Sequence, residues 1–139
     1  MNTRPDRVTL FASCMVDQLA PSVGESTVKV LEYLGINVDF VYDQTCCGQP
    51  AFNSGFRSDA MPVAERFLEL FEKVAGIIVV PSGSCAGMLR EHYPRLFSKD
   101  LDWRARADRH GTAGLQAYSC RLPWRWLRRL PNRRGNGTA

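Results

Sequence analysis

Hydrophobic and polar positions alternate between two periods along the first hundred residues. Val8-Thr9-Leu10-Phe11 is short, apolar and β-rich, and predicts a buried strand. Val23, Thr27, Val30, Leu31 and Leu34 then recur at helical spacing. Pro21-Ser22 with Glu25 three residues after Ser22 resembles a capping box at the start of that helix, and Gly35 stands where its C-terminal cap is expected. Val38 to Tyr42 predicts a second strand, followed by the loop Asp43 to Pro50. A second long helix is expected from Ser58 to Val74, with Ala60, Ala64, Phe67, Leu68, Phe71 and Val74 on one face and Pro62 tolerated near its first turn. Gly76-Ile77-Ile78-Val79-Val80 is an uninterrupted apolar run, the pattern of a strand covered on both faces. Pro81 to Cys85 turns the chain into a short helix from Cys85 to Tyr93, expected to end near Pro94.

Strands separated by single helices imply right-handed crossovers and a parallel sheet. The expected fold class is α/β: a Rossmann-like parallel sheet with flanking helices over residues 1–103, plus an irregular, Arg-rich C-terminal tail over 104–139. No apolar run reaches the ~18–20 residues of a membrane span. The N-terminal residues lack the apolar core and cleavage site of a signal peptide, so the expected location is the cytoplasm.

Charge sharpens this division. The chain of 139 residues carries a net +4, but residues 1–100 hold 9 Lys and Arg against 12 Asp and Glu, a balance of −3. Residues 101–139 hold 9 Arg, no Lys and 2 Asp, a balance of +7. The body has no basic stripe to follow a phosphate backbone, and no nucleic-acid partner is expected for it. The tail, with Trp124-Arg125-Trp126 and Arg128-Arg129, reads in three ways: a partly disordered extension, an arm for nucleic acid or a membrane surface, or a segment translated out of frame.

Of five cysteines, Cys14, Cys46, Cys47 and Cys85 lie in the body and Cys120 in the tail. An odd number does not suit a closed disulfide framework. Cys14 follows the first strand, Cys46 and Cys47 the second, and Cys85 the third. Loops that follow parallel strands share one edge, so these thiols are expected to converge despite intervals of 31 and 37 residues. Four thiolates suit a soft metal. Zinc favours a Cys-x-x-Cys knuckle, whereas the adjacent pair Cys46-Cys47 diverges and suits two different irons of a cluster. Gly48 lets the backbone turn tightly beside it, and a helix start at Cys85 favours the thiolate. Zinc, metal-free redox thiols and buried structural cysteines remain alternatives at this point. Ser82-Gly83-Ser84 as an anion cradle is explained equally by a cap role for Ser84. His92 reads as a surface or core residue, Asp17 and Glu25 as solvated carboxylates, and Met15, Phe52 and Phe56 as a shield for the sulfurs or simply core.

Phe11-Ala12-Ser13-Cys14-Met15, Thr45-Cys46-Cys47-Gly48-Gln49-Pro50 and Pro81-Ser82-Gly83-Ser84-Cys85 together resemble the cysteine-rich CCG domain, over about residues 7–103. That domain occurs in heterodisulfide reductases, glycolate oxidase iron–sulfur subunits and lactate utilization proteins, the last being the most similar in surrounding residues. The resemblance implies an iron–sulfur cluster, of the 4Fe-4S type, held by Cys14, Cys46, Cys47 and Cys85 beside Gly48. It implies electron transfer within a complex that oxidises L-lactate or another 2-hydroxy acid, with other subunits as partners. Oxidoreductase activity is expected only where that complex forms. Ser82 occupies the first position of the family's closing Cys-x-x-Cys, so one family ligand is missing. One repeat is present where the family usually carries two, which implies a chain truncated after the first. An inert fragment, a docking module without a cluster and a metal-free vicinal-thiol redox protein are the competing readings.

Overall fold

A computed structural model describes residues 5–109. Three strands, β1 (Arg7–Leu10), β2 (Asn37–Phe40) and β3 (Ile77–Val79), form a parallel sheet in the order β2-β1-β3. Val8 lies opposite Val38 on one side and Ile77 on the other. The expected α/β class and parallel topology hold. β2 stops two residues before the expected end, at Phe40, and Tyr42 points into solvent.

The twofold alternation of the strands divides the core into two layers. Val8, Leu10 and Val79 face one side and pack with Leu31, Leu34 and Ile36 of the first crossover. Phe11, Ile78 and Val80 face the other and pack with Ala60, Ala64, Phe67, Leu68 and Phe71. These apolar sets explain why α2 (Pro21–Tyr33) and α4 (Arg57–Phe71) lie on opposite faces of the sheet. The Phe11 ring meets Phe67 edge-on at 5.0 Å between centroids, and Phe67 stacks on Phe71 at 4.4 Å. Burying three such side chains contributes roughly 1.5–3 kcal/mol each.

The helix ends show which local signals were used. Between β1 and α2, the five-residue α1 (Cys14–Gln18) starts at the tip of the first strand. α2 begins with Pro21 in its first turn after Ala20, and Ser22 lies inside the helix, so the expected capping box is not formed. Its other end matches expectation. Gly35 has φ +72°, and Gly35 N–H and Ile36 N–H donate to the Glu32 and Leu31 carbonyls at 2.8 and 3.0 Å, a Schellman closure. Pro62 sits in the second turn of α4 rather than the first, on the exposed side, where water can satisfy the carbonyl it leaves unpaired.

The segment after β3 departs most from expectation. α5 (Gly83–Gly87) passes through a π-helical turn, Met88–His92, into α6 (Tyr93–Leu96). Pro94 stands in the first turn of α6 and does not end the helical run. The wider turn shifts hydrogen bonding by one residue, with Tyr93 N–H donating to the Met88 carbonyl. The missing proline N–H therefore falls at a discontinuity that already exists.

The folded body also runs past residue 103. α7 (Leu101–Arg109) buries Ala107 completely, and Trp103 stacks on Phe97 at 5.7 Å. Arg106 covers the Trp103 ring and pairs with Glu72 of the α4 end through two bonds of 2.7 and 2.9 Å. Residues 104–109 thus belong to the packed body rather than to an irregular tail. Cys120 and the Arg- and Trp-rich segment lie outside the described residues. Among the described residues, no helix is long and apolar enough to cross a membrane.

Candidate metal–sulfur centre

The four body cysteines meet at the edge of the sheet where all three strands end. Cys14 opens α1, Cys46 and Cys47 precede α3 (Gln49–Asn53), and Cys85 lies in α5. The Cys14 and Cys46 sulfurs are 3.2 Å apart. Cys47 and Cys85 share a hydrogen bond between their side chains, and Cys85 is also close enough to Cys14 to act on its charge. The four thus form one cluster, in which Cys14 touches Cys46 and Cys47 interacts with Cys85. Cys47 and Cys85 are buried, Cys14 and Cys46 partly open, and all four are free thiols.

Main-chain geometry builds this arrangement. Gln44 clasps the second loop to the end of β1: its Oε1 accepts from Ala12 N–H at 2.9 Å, and its Nε2 reaches the Leu10 carbonyl at 3.5 Å. That clasp sets the loop bearing Cys46 beside the loop bearing Cys14. Gly48 has φ +80°, and a Cβ there would stand 3.3 Å from the Ala60 carbonyl oxygen. The left-handed turn directs Gly48 N–H onto the Cys46 sulfur at 3.4 Å. Below it, the buried Tyr93 hydroxyl donates to the Cys47 carbonyl at 2.9 Å.

Three serines surround Cys85. The Ser82 hydroxyl caps α5, accepting from Cys85 N–H at 3.5 Å, and contacts the Ser84 hydroxyl at 3.2 Å. The cap is therefore Ser82 and not Ser84. Ser13 lies across the site. It precedes α1 in the capping position, yet its hydroxyl does not cap the helix. The residue is fully buried and its Oγ has no partner of ordinary hydrogen-bond geometry.

Electrostatics follow from these contacts. The Cys47 thiol donates to Cys85 and holds the Cys85 thiol down to about 5, helped by the Ser82, Ser13 and Ser84 hydroxyls and opposed by burial. The same bond, with burial, pushes Cys47 far above the ordinary thiol range. One proton is in effect shared by the pair, resting on Cys47. Burial, then the contact with Cys46, raises Cys14 to about 11. Burial also raises the Tyr93 hydroxyl, which keeps it a donor.

The donor set is four soft sulfurs on three loops, with an unpartnered buried hydroxyl beside them; it fits a soft-metal centre. Among the described residues, no three or more His, Cys, Asp or Glu side chains are gathered as the ligands of one metal ion. Of the other candidates, Phe52 packs against the core cluster that includes Cys47 and Cys85. Met15 and Phe56 are exposed and so are not core. Phe52 stacks against His92 at 4.9 Å, and the His92 Nδ1 is buried without a partner. Asp17 is exposed, and Glu25 pairs with Lys29 at 3.7 Å.

Residues 8–90 match the cysteine-rich domain family known as CCG, across all four cysteines of the site. The chain belongs to that family. Its relatives include Lactate utilization protein A of Exiguobacterium sp., 51% identical over 104 residues, which cover 74% of this chain and 42% of that protein. Lactate utilization protein A of Bacillus velezensis is 50% identical over 101 residues, covering 73% of this chain and 42% of the relative. The same protein of Geobacillus sp. is 46% identical over 101 residues, with the same shares. The CCG chain thus spans about two fifths of the length of these curated relatives. No solved structure matches it.

Sequence reasoning located the four cysteines and Gly48. It missed Gln44, Ser13 and Tyr93, whose roles depend on contacts spanning 32 residues or more in two cases. Only the strand-end position of Ser13 beside Cys14 was a usable signal.

Proposed function

We propose that this chain is an iron–sulfur electron-transfer subunit in lactate utilization, with Cys14, Cys46, Cys47 and Cys85 as ligands of a 4Fe-4S-type cluster. The observation that carries the reading is the meeting of four sulfurs from three separate loops at one edge of the sheet. Family membership and the names of the relatives support lactate utilization as the setting. A bound cluster would supply one-electron chemistry. The chain's own part is to position the sulfurs, to exclude water from Cys47 and Cys85, and to direct hydrogen bonds onto sulfur through Gly48 N–H. The Cys14 and Cys46 sulfurs touch here, and ligation would exchange that contact for iron. Its partners are other subunits of a complex oxidising L-lactate or a related 2-hydroxy acid, and its site of action is the cytoplasm, where thiols stay reduced.

Anaerobic reconstitution with iron and sulfide tests this. The wild-type chain is expected to bind both in comparable amounts and to turn brown, with visible absorbance bleached by dithionite. Cys46→Ser is expected to lose most of the iron; full retention would count against ligation. A second reading rests on the 3.2 Å contact of Cys14 with Cys46: a metal-free dithiol that cycles to a disulfide. Colourless protein with four titratable body thiols and no bound iron favours it.

A further inference from the structure

Ser13 is an N-cap residue that does not cap. Serine in that position ordinarily accepts from the free N–H groups of the first turn and stabilises the helix by doing so. Here the side chain turns inward instead, is completely buried, and finds no hydrogen-bond partner of ordinary geometry. A buried hydroxyl left in this state carries its full desolvation penalty with no bond to offset it. The neighbour it acts on is the Cys85 sulfur, on the opposite loop of the site. Ser82 and Ser84 reach the same sulfur, but they are already engaged, Ser82 with Cys85 N–H and the two hydroxyls with each other. Of the three serines, Ser13 alone has a hydroxyl with no hydrogen-bond partner of ordinary geometry.

We infer that Ser13 is a positioning and tuning residue of the sulfur centre, its hydroxyl donating to the Cys85 sulfur when that sulfur is a metal ligand. The inference rests on the iron–sulfur reading above. A ligand thiolate carries more negative charge when the centre it serves is reduced. A donor aimed at it strengthens on reduction and favours the reduced form. The hydroxyl is buried, so no water substitutes for it when it is removed.

The test uses the full chain, reconstituted anaerobically and titrated with dithionite under spectroscopic observation. Ser13→Ala is expected to keep the wild-type iron and sulfide content. Its reduction equilibrium is expected to shift about tenfold toward the oxidised form, a midpoint about 59 mV lower for a one-electron couple. Ser13→Cys, with a weaker donor in nearly the same space, is expected to fall between the two. An unchanged midpoint in whichever variant folds overturns the inference and leaves the iron–sulfur reading standing. Loss of iron from both variants also overturns it, because a tuning donor is not needed to retain metal. A wild-type chain that takes up no iron overturns both.

Discussion

The Tyr93 hydroxyl and the Cys47 carbonyl are joined by a buried hydrogen bond of 2.9 Å across 46 residues of sequence. It ties the helical segment after β3 to the loop after β2, directly beneath the sulfurs. The Tyr93 ring is itself fixed edge-on to Phe67 at 5.7 Å, so the position of the Cys46-Cys47 loop is referred to the aromatic core.

Tyr93→Phe keeps the ring and removes the donor. The Cys47 carbonyl then loses its hydroxyl partner, which is expected to cost about 1–3 kcal/mol. Urea denaturation of the metal-free chain measures it. A midpoint equal to wild type would mean that the carbonyl finds another partner and that the loop is held elsewhere.

Gly48→Ala places a Cβ on a backbone at φ +80°, against the Ala60 carbonyl at 3.3 Å and the Val63 Cγ1 at 3.5 Å. The left-handed conformation alone costs an L-residue about 1–2 kcal/mol, and the contact with backbone adds to it. Loss of stability is expected together with a displaced Cys46, whose sulfur receives Gly48 N–H. Reduced iron retention on top of the stability loss distinguishes this from a remote core defect.

The stability of the metal-free, reduced chain should depend on pH in two opposite ways. Cys85 titrates at about 5 in the folded chain against 9.0 for an ordinary thiol. Between those values the unfolded chain binds a proton that the folded chain does not, so stability rises with pH from 5 to 9. Cys14 is raised to about 11. Above pH 9 the folded chain keeps the Cys14 proton, and that of the raised Cys47, which the unfolded chain loses, and stability falls. A maximum near pH 9 is expected in urea midpoints, and Cys85→Ser should flatten the rise below it. A wild-type midpoint that declines steadily from pH 6 to 8 contradicts the shared-proton arrangement.

Much of the site was legible because a parallel sheet has polarity. Cys14, Cys46, Cys47 and Cys85 each follow a strand, and any α/β fold built from these strands brings the loops to one edge. Gly48 was legible because a tight turn between a cysteine pair and a helix needs a residue free of Cβ. Local signals failed where another signal of equal local strength competed. Ser22 with Glu25 has the spacing of a capping box, but Pro21 already fits the first turn, and the helix starts two residues earlier than a Ser22 cap would have it. Pro94 is a strong local stop, yet Tyr93 and Leu96 on either side of it are buried. Packing of those side chains carries the helical run through the proline by way of a π-helical turn.

By itself the amino-acid order determined the strands, the two long helices and the strand-end addresses of the cysteines, since periodicity and turn chemistry act over a few residues. The tertiary structure alone decided that Cys14 touches Cys46 while Cys47 shares its proton with Cys85. It alone turned Ser13 inward, set Gln44 as a clasp and docked α7 through Trp103 and Arg106. These outcomes depend on side chains that meet only when two layers close over the sheet, and no local pattern records which of several neighbouring polar groups will be left facing the sulfurs.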